Sequence, residues 1–436
     1  SRSWMSWLIA GLLLSACGGN GCGMQPIPGG FPASERTPNA GQLRISQSGI
    51  ADITADPAAL VGSLLGGSLT FDVPASCGGS TEICCDNGQP ISPCGPIVID
   101  LVAQGGDAPR LEIVPISGQS RIDVTVRARV TSAAPIPVNV PVAGDCELTI
   151  DTNRGTPDDM TIALPLSFTQ DAVLGTTRVE AGNVQIQDLD ETDLDIGDGI
   201  LCDGADAVLG LFIDTVTDTF ADSIESAIND QVCKTCASGD VAECGGIAAA
   251  CTDGVCVDGG GVCVQELGLA GRLQNAFPDL SPGTTGAMDV YEVAGGYATT
   301  DSGGLALGLL GGFLPAGAPR DRCGPAATAP PDVAVPVSTF FTGNTRPDTG
   351  DPFDVAIGLH ESQLDQLAYA AYDGGVLCLT VGTNASELLT SASLSLFIPS
   401  LSALSPREPS PVAIGLRPQA PPTIELGLNT FRDEGG

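Results

Sequence analysis

The feature that most limits what this chain can fold into is strict two-residue alternation. Ile122-Asp-Val124-Thr-Val126-Arg-Ala128-Arg-Val130 puts an apolar side chain at every second position. Successive side chains of a strand point to opposite faces, so such a run lays one face on a core and the other in water. From Leu69 to Phe168 the chain is mostly of this alternating or branched-apolar kind, which predicts strands of an antiparallel sheet. Composition agrees: aromatics are only 4% of the residues, and small and branched apolar side chains line such strands.

Helical spacing interrupts the strands in a few places. After a strand-like stretch from Gln42 to Gln47, the residues Ile50, Ile53, Leu60 and Leu64 recur at helical intervals, with Pro57 as a kink or restart. Between Ala205 and Val232, Leu209, Phe212, Val216, Phe220, Ile224 and Ile228 form one stripe opposite Asp214, Asp218, Asp222 and Glu225. This is the best amphipathic helix in the sequence. Strands resume from Met288 to Thr299 and from Gly304 to Leu314, and a Pro/Ala/Gly-rich stretch from Pro315 to Pro331 connects onward. Phe353 to His360 is then strand-like, and Ser362 to Tyr372 places Leu364, Leu367, Ala368 and Ala371 on one helical face. Gly374 and Gly375 supply a stop, and Val376 to Val381 starts another strand. The order strand, helix, strand of residues 42–71 is thereby repeated, which predicts a second domain built like the first. The sequence reaches Asp433-Glu-Gly-Gly436 before such a domain closes, so the expectation is that its remainder lies beyond the sequence.

The beginning of the chain reads as an address. Arg2 precedes an apolar run from Trp7 to Leu14, followed by Leu14-Ser15-Ala16-Cys17, a lipobox in which the Cys is acylated before cleavage. A buried first helix is the competing reading. It is disfavoured because the run is too short to span a bilayer and passes at once into the Gly/Pro/Ser-rich segment Gly18 to Ala40, which reads as a tether. Several acyl chains at about 0.8 kcal/mol per methylene hold such a protein on a membrane. Gly18, rather than Asp, after Cys17 points to the outer membrane, on its periplasmic or cell-surface face. The first residue is Ser1 rather than Met, so a clipped N-terminus is expected.

Charge and cysteine content narrow the partners. The formal net charge is −35, and Lys234 is the only lysine. Nucleic acid and electrostatic docking onto anionic headgroups are excluded on that balance. Sixteen cysteines in an exported chain read as a disulfide framework. One cluster is Cys77, Cys84, Cys85 and Cys94; the other is Cys233, Cys236, Cys244, Cys251, Cys256 and Cys263 in a Gly-rich insert. Cys233-Lys-Thr-Cys236 has the spacing of half a zinc site, but no other spacing repeats it and no His lies there, so no metal site is assigned. Setting aside Cys17 leaves fifteen, and Cys378, inside an apolar strand-like run, is the candidate for the unpaired thiol.

Catalytic chemistry finds no footing. His360 is the only histidine and falls in a strand-like stretch, and there is no nucleophile elbow, phosphate loop or paired His motif. The acidic run Asp188-Leu-Asp190-Glu-Thr-Asp193-Leu-Asp195-Ile-Gly-Asp198 lacks the twelve-residue calcium loop with its terminal Glu and reads better as a solvated loop or strand edge. No enzyme activity and no cofactor are expected.

Three ordered stretches resemble one family. Gly41-Gln-Leu-Arg-Ile-Ser-Gln-Ser-Gly-Ile50 is similar to the opening strand and helix start of the bactericidal/permeability-increasing, lipopolysaccharide-binding and cholesteryl-ester-transfer proteins. Ile224-Glu-Ser-Ala-Ile228-Asn-Asp-Gln-Val-Cys233 resembles the end of their second helix, and Asp354-Val-Ala-Ile-Gly-Leu-His360 with Gly374-Gly-Val-Leu-Cys-Leu-Thr-Val381 resembles the start of their second barrel. The resemblance covers most of the chain from about residue 40. It implies an α+β tubular lipid-binding fold, a highly curved antiparallel sheet wrapped around a long amphipathic helix, with the beginning of a second similar barrel. The implied domains are a signal peptide over 1–17, a tether over 18–40, a first barrel over 41–345 carrying the insert 233–263, and an incomplete second barrel over 346–436. It also implies a disulfide from Cys233 to an earlier strand, at Cys146 or alternatively Cys202. Acyl chains would lie against Ile50, Ile53, Leu60, Leu64 and the stripe Leu209, Phe212, Val216, Phe220, Ile224 and Ile228, unless these side chains simply fill a core. The function implied is lipid binding or transfer by a lipoprotein anchored through Cys17. The alternative is a surface interaction or adhesin-like protein with a filled core and disulfide-braced loops. The acidic balance is opposite to that of lipopolysaccharide binders, so that ligand is not carried over.

Overall fold

The computed structural model describes residues 24–55, 68–71, 73, 75–78, 82–100, 110–140, 144–154, 160–189, 191–196, 232–236, 241–244, 250–274, 286–317, 323–331, 333–338, 343–346, 349–383, 386–396, 398–400 and 410–426. The chain opens with β1 (Met24–Gln25), β2 (Thr37–Ser46) and α1 (Gln47–Thr54). Next come β3 (Ser68–Phe71), β4 (Glu82–Ile83), β5 (Cys85–Asp86), β6 (Gln89–Pro90), β7 (Ile97–Asp100), β8 (Arg110–Ile116), β9 (Arg121–Ser132) and β10 (Ile136–Val140). They are followed by β11 (Gly144–Ile150), β12 (Met160–Gln170), β13 (Thr177–Ala181), β14 (Gln185–Gln187) and β15 (Leu194–Ile196). The cysteine-rich insert holds β16 (Ala250–Thr252) and β17 (Val255–Val257). The last part comprises β18 (Gly268–Gln274), β19 (Ala287–Asp301), β20 (Gly304–Pro315), β21 (Val355–Leu359), α2 (Glu361–Asp373), β22 (Leu379–Val381), α3 (Ser391–Leu394) and β23 (Ile414–Leu416).

Three antiparallel sheets carry the fold. A central sheet runs β1-β18-β19-β20-β2-β21, a second runs β13-β12-β9-β7-β3 with β8 on β9 and β14 on β12, and a four-stranded sheet runs β15-β11-β10-β4. The second sheet is stitched onto the central one at β19, whose register shifts between Ala294 and Ala298. Such bulges bend a strand and increase its twist. The Gly118 N–H donates to the Thr300 carbonyl at 2.9 Å, the Ser120 hydroxyl to the Ala298 carbonyl at 2.7 Å, and the Gly296 N–H to the Gly175 carbonyl at 3.1 Å. The turns that end β8 and β12 are thus tied to one strand of the central sheet, which curls the assembly around its inner face.

The alternation of β9 decides what that inner face carries. Its Ala128 and Val130 are buried, while Arg127 before them is exposed and Arg129 between them is only partly covered. At one end the inner face is sealed by the four-stranded sheet: Ile136, Val138, Leu148 and Ile150 pack on Ala128, Val130, Met160 and Ile162. Truncating Ile136, Leu148, Ile150 or Met160, each fully buried, to Ala is expected to cost about 2–5 kcal/mol in urea unfolding.

Several expectations change. The segment expected to tether the body is part of the fold from Met24 on: β1 pairs with β18, and Ile27 and Phe31 are buried against Tyr291, Val293 and Leu310. The disulfide implied between Cys146 and Cys233 does not form, because Cys233 bonds Cys263, thirty residues on, inside its own insert. Cys146 is itself disulfide-bonded, and Cys202 lies outside the described residues. Cys378 is not a free thiol but bonds Cys323, and among the described residues no cysteine is free. The strand expected from Val376 is confined to Leu379–Val381, since residues 374–377 turn out of α2. The short local pairings reflect chain geometry: Cys77–Cys85, Cys84–Cys94, Cys236–Cys251 and Cys244–Cys256 each close a loop of fifteen residues or fewer.

Cys323–Cys378 closes a separation of 55 residues and ties the Pro-rich connection to the end of α2. Replacing Cys378 with Ser is expected to lower stability by about 2–4 kcal/mol in urea unfolding. A non-reducing peptide map should recover Cys233 joined to Cys263.

Candidate functional site

The site begins at Arg44-Ile45-Ser46, where three successive side chains do three different jobs. Arg44, fully buried on the outer side of the central sheet, clasps the Asp301 carboxylate at 2.9 and 2.7 Å and donates to the Asn344 Oδ1 at 2.9 Å. Burial alone would raise the Asp301 carboxyl, but hydrogen bonds from Arg44 and Gly303 outweigh it and hold the group below the usual carboxylate range. Ile45 turns to the inner face beside Leu43, Leu305, Leu307, Phe168 and Val355. Ser46 caps α1 by accepting the Gly49 N–H at 3.2 Å. Gly49 is required there, since a Cβ would stand 2.1 Å from the Asp354 carbonyl oxygen.

The inner face is a continuous apolar stripe. On β12, Met160, Ile162, Leu164, Leu166 and Phe168 share one face; Met160 and Ile162 belong to the sealed core, and Phe168 belongs to the cluster on the central sheet. From Met160 to Phe168 is about 27 Å at the usual rise of a strand. Opposite them on β9 stand Ala128, Val126, Val124 and Ile122, and next to these on β8 are Leu111, Ile113 and Pro115. Burial is complete at the Met160 end and falls off along the stripe, so that Leu166, Phe168, Ile122, Val124 and Ile113 are only partly covered. The stripe ends at the edge strand β21, where Ile357 and Leu359 are 57% and 48% exposed.

The expected lining residues fare differently. Ile50 is buried and Ile53 partly so, on a helix that touches β8 and β2. Cys17, Leu60, Leu64, Leu209, Phe212, Val216, Phe220, Ile224 and Ile228 lie outside the described residues. The inner face is built instead, among the described residues, from β2, β8, β9, β12, β20 and β21. His360 caps α2, its Nδ1 2.8 Å from the Ser362 hydroxyl. In the acidic run, Asp195 pairs with Arg154 at 2.5 Å and Leu194–Ile196 forms the edge strand β15. The Sγ atoms of Cys236, Cys244 and Cys256 lie within 4.8 Å of one another, but all three are oxidised in disulfides and offer no thiolate to a metal.

One polar pair on the inner face was missed. Glu292 of β19 and Gln363 of α2 converge on Gly311: a Cβ there would lie 2.7 Å from Glu292 Oε1 and 3.0 Å from Gln363 Oε1. Both carboxyl oxygens of Glu292 and both amide atoms of Gln363 are buried and without a hydrogen-bond partner among the described residues. Burial pushes Glu292 up from 4.5 to about 8, with no charged neighbour contributing. The signal was present in the sequence, since Glu292 shares the two-residue phase of Met288, Val290 and Ala294, the apolar face of β19.

No protein-family model matches the chain, and no curated protein matches it. Among solved structures, the chain is similar to lipopolysaccharide-binding protein over 85% of this chain and 67% of that one, at 12% identity and a TM-score of 0.32. It is similar to Takeout 1 of Epiphyas postvittana over 42% of this chain and 87% of that one, at 13% identity and a TM-score of 0.21. Scores this low carry no argument about function, so the functional reading rests on the residues themselves.

The raised Glu292 value has a definite consequence for stability. Between 4.5 and about 8 the folded chain holds a proton that the unfolded chain has lost. Stability therefore falls as pH rises through that window, by up to about 1.4 kcal/mol per pH unit, and levels off above it. Glu292→Gln should remove this slope, which thermal unfolding across the window would record.

Proposed function

We propose that this protein binds lipid by sheltering an acyl chain along the inner face of β8, β9 and β12, and that it does so as an exported lipoprotein held on the outer membrane through Cys17. The observation that carries the reading is the change along the β12 stripe from a sealed core at Met160 to partly covered apolar side chains at Leu166 and Phe168. An apolar strip left partly open beside a complete core is costly in water unless something apolar covers it. An acyl chain fits the demand: each methylene gains about 0.8 kcal/mol on burial, and one leaflet's chain spans roughly 15 Å, half the hydrocarbon core, against about 27 Å of stripe. Phospholipid or another acyl-chain lipid is the ligand class, bound without chemical change. Transfer between membranes and closure of the stripe into a tunnel belong to the same proposal. Export is supported by the lipobox and by six disulfides among the described residues, which persist in oxidising compartments.

Native mass spectrometry of detergent-free protein tests the reading. The expected spectrum shows a co-purified acyl-chain ligand. Leu166→Asn and Val124→Asn should cut its occupancy several-fold, by placing a polar group on the chain's path at about 1–3 kcal/mol each. Wild-type protein that is lipid-free, and stays so after incubation with phospholipid vesicles, would contradict it and favour a filled core.

A further inference from the structure

The central sheet ends on one side at β21, and among the described residues no strand pairs with its outer edge. The Ser46 N–H donates to the Asp354 carbonyl and the His360 N–H to the Ala40 carbonyl, each at 3.0 Å. These two bonds fix the phase of the ladder. Ala356 and Gly358 bond to β2, whereas the N–H and C=O groups of Val355, Ile357 and Leu359 point away from it. The side chains of the same three residues lie on the inner face, with Ile357 and Leu359 exposed. Natural edges of this kind are guarded by a charge, a proline or a bulge. In a chain of net charge −35, Val355-Ala-Ile-Gly-Leu359 carries neither charge nor proline, and its register with β2 is unbroken.

We propose that this edge is an interface for a second copy of the chain, the two β21 strands pairing antiparallel about a twofold axis through Ile357. Only that register uses every open group. Ile357 stands opposite Ile357 of the second copy and Val355 opposite its Leu359, which makes three hydrogen-bonded pairs and about six bonds, whereas a slip by two residues leaves about four. The axis is normal to the sheet, so both inner faces lie on the same side and the exposed Ile357 and Leu359 side chains cover one another. The same register sets the exposed Asp354 opposite His360 of the second copy, once on each side of the axis. His360 Nδ1 accepts the Ser362 N–H at 3.3 Å, so the neutral imidazole carries its proton on Nε2 and can donate it to that carboxylate. The acidic residue beside the strand thus meets a donor. The paired strands are five residues long, well short of the about 1,600 Å² of a standard interface, so the dimer is weak and concentration-dependent.

Sedimentation velocity of the full chain between about 1 and 200 µM tests the interface. The mass is expected to rise with concentration from that of one copy toward that of two. Ile357→Pro removes an N–H that points away from β2 and leaves the β2 ladder whole. It should weaken the dimer at least about tenfold, as the loss of two hydrogen bonds requires, while the far-UV spectrum is kept. Ile357→Lys sets like charges against each other across the axis without altering the backbone, and the same loss is expected. Under mild oxidation Ile357→Cys should cross-link two copies, because directly opposed hydrogen-bonded residues stand about 5.5 Å apart at Cα, within disulfide reach. Val355→Cys should not, since Leu359 stands opposite it. Wild type with the mass of one copy throughout, a dimer that survives both the Pro and the Lys variant, or cross-linking as ready at 355 as at 357 would each overturn the interface.

Discussion

The register of β2 between β20 and β21 decides which side chains share the inner face. Leu43 stands opposite Leu307 on one side and Ile357 on the other, and Ile45 stands between Leu305 and Val355. A slip of one residue would turn all of these outward and bring Gln42 and Arg44 inward. Arg44 prevents the slip, because its two bonds to Asp301 and one to Asn344 exist only on the outer side. The register also brings Gly41 beside Glu292 and places Ser46 to cap α1. The apolar stripe, the polar pair and the first helix therefore follow from one pairing.

Among the described residues, most cations of this acidic chain are committed to ion pairs inside it. Arg44 meets Asp301, Arg272 meets Asp289 at 2.7 Å, and Lys234, the only lysine, meets Glu266 at 2.6 Å. Each pair joins separate strands or fastens the cysteine-rich insert to the body. The insert is further held by Gln265, whose side-chain amide makes both backbone bonds of Val179, at 2.7 and 3.0 Å, as a strand neighbour would. Against this pattern Glu292 is an exception: a buried carboxyl with neither cation nor donor among the described residues, on the face that carries the apolar stripe.

The strands and their inward phase were legible in the sequence because alternation is a local property. The run from Ile122 to Val130, the strands near Met288 and Gly304, and the helix after His360 all stand where the periodicity put them. What failed depended on contacts distant in sequence or on analogy. Cys233 closes on Cys263 because the insert folds on itself, and nothing in the spacing of six cysteines selects among their pairings. Cys378 meets Cys323 only once α2 lies on the sheet. A Gly/Pro-rich segment looks like a tether by composition, yet two apolar side chains, Ile27 and Phe31, are enough to dock it. Of the candidate lining residues, the described ones, Ile50 and Ile53, sit on the first helix, whereas Leu166 and Phe168 reach the inner face through the pairing of β12, and Glu292 meets Gln363 only once α2 lies on β19 and β20.

The central claim is that an acyl chain lies on the inner face of β12. Photocrosslinking with a monoacylglycerol that carries a diazirine in its chain tests this most directly, since the label marks the side chains the chain touches. Modified peptides that contain Leu166, Phe168 and Val124 are expected. Label found instead on outward apolar residues such as Val173 or Leu396, with β12 and β9 unmodified, would contradict it.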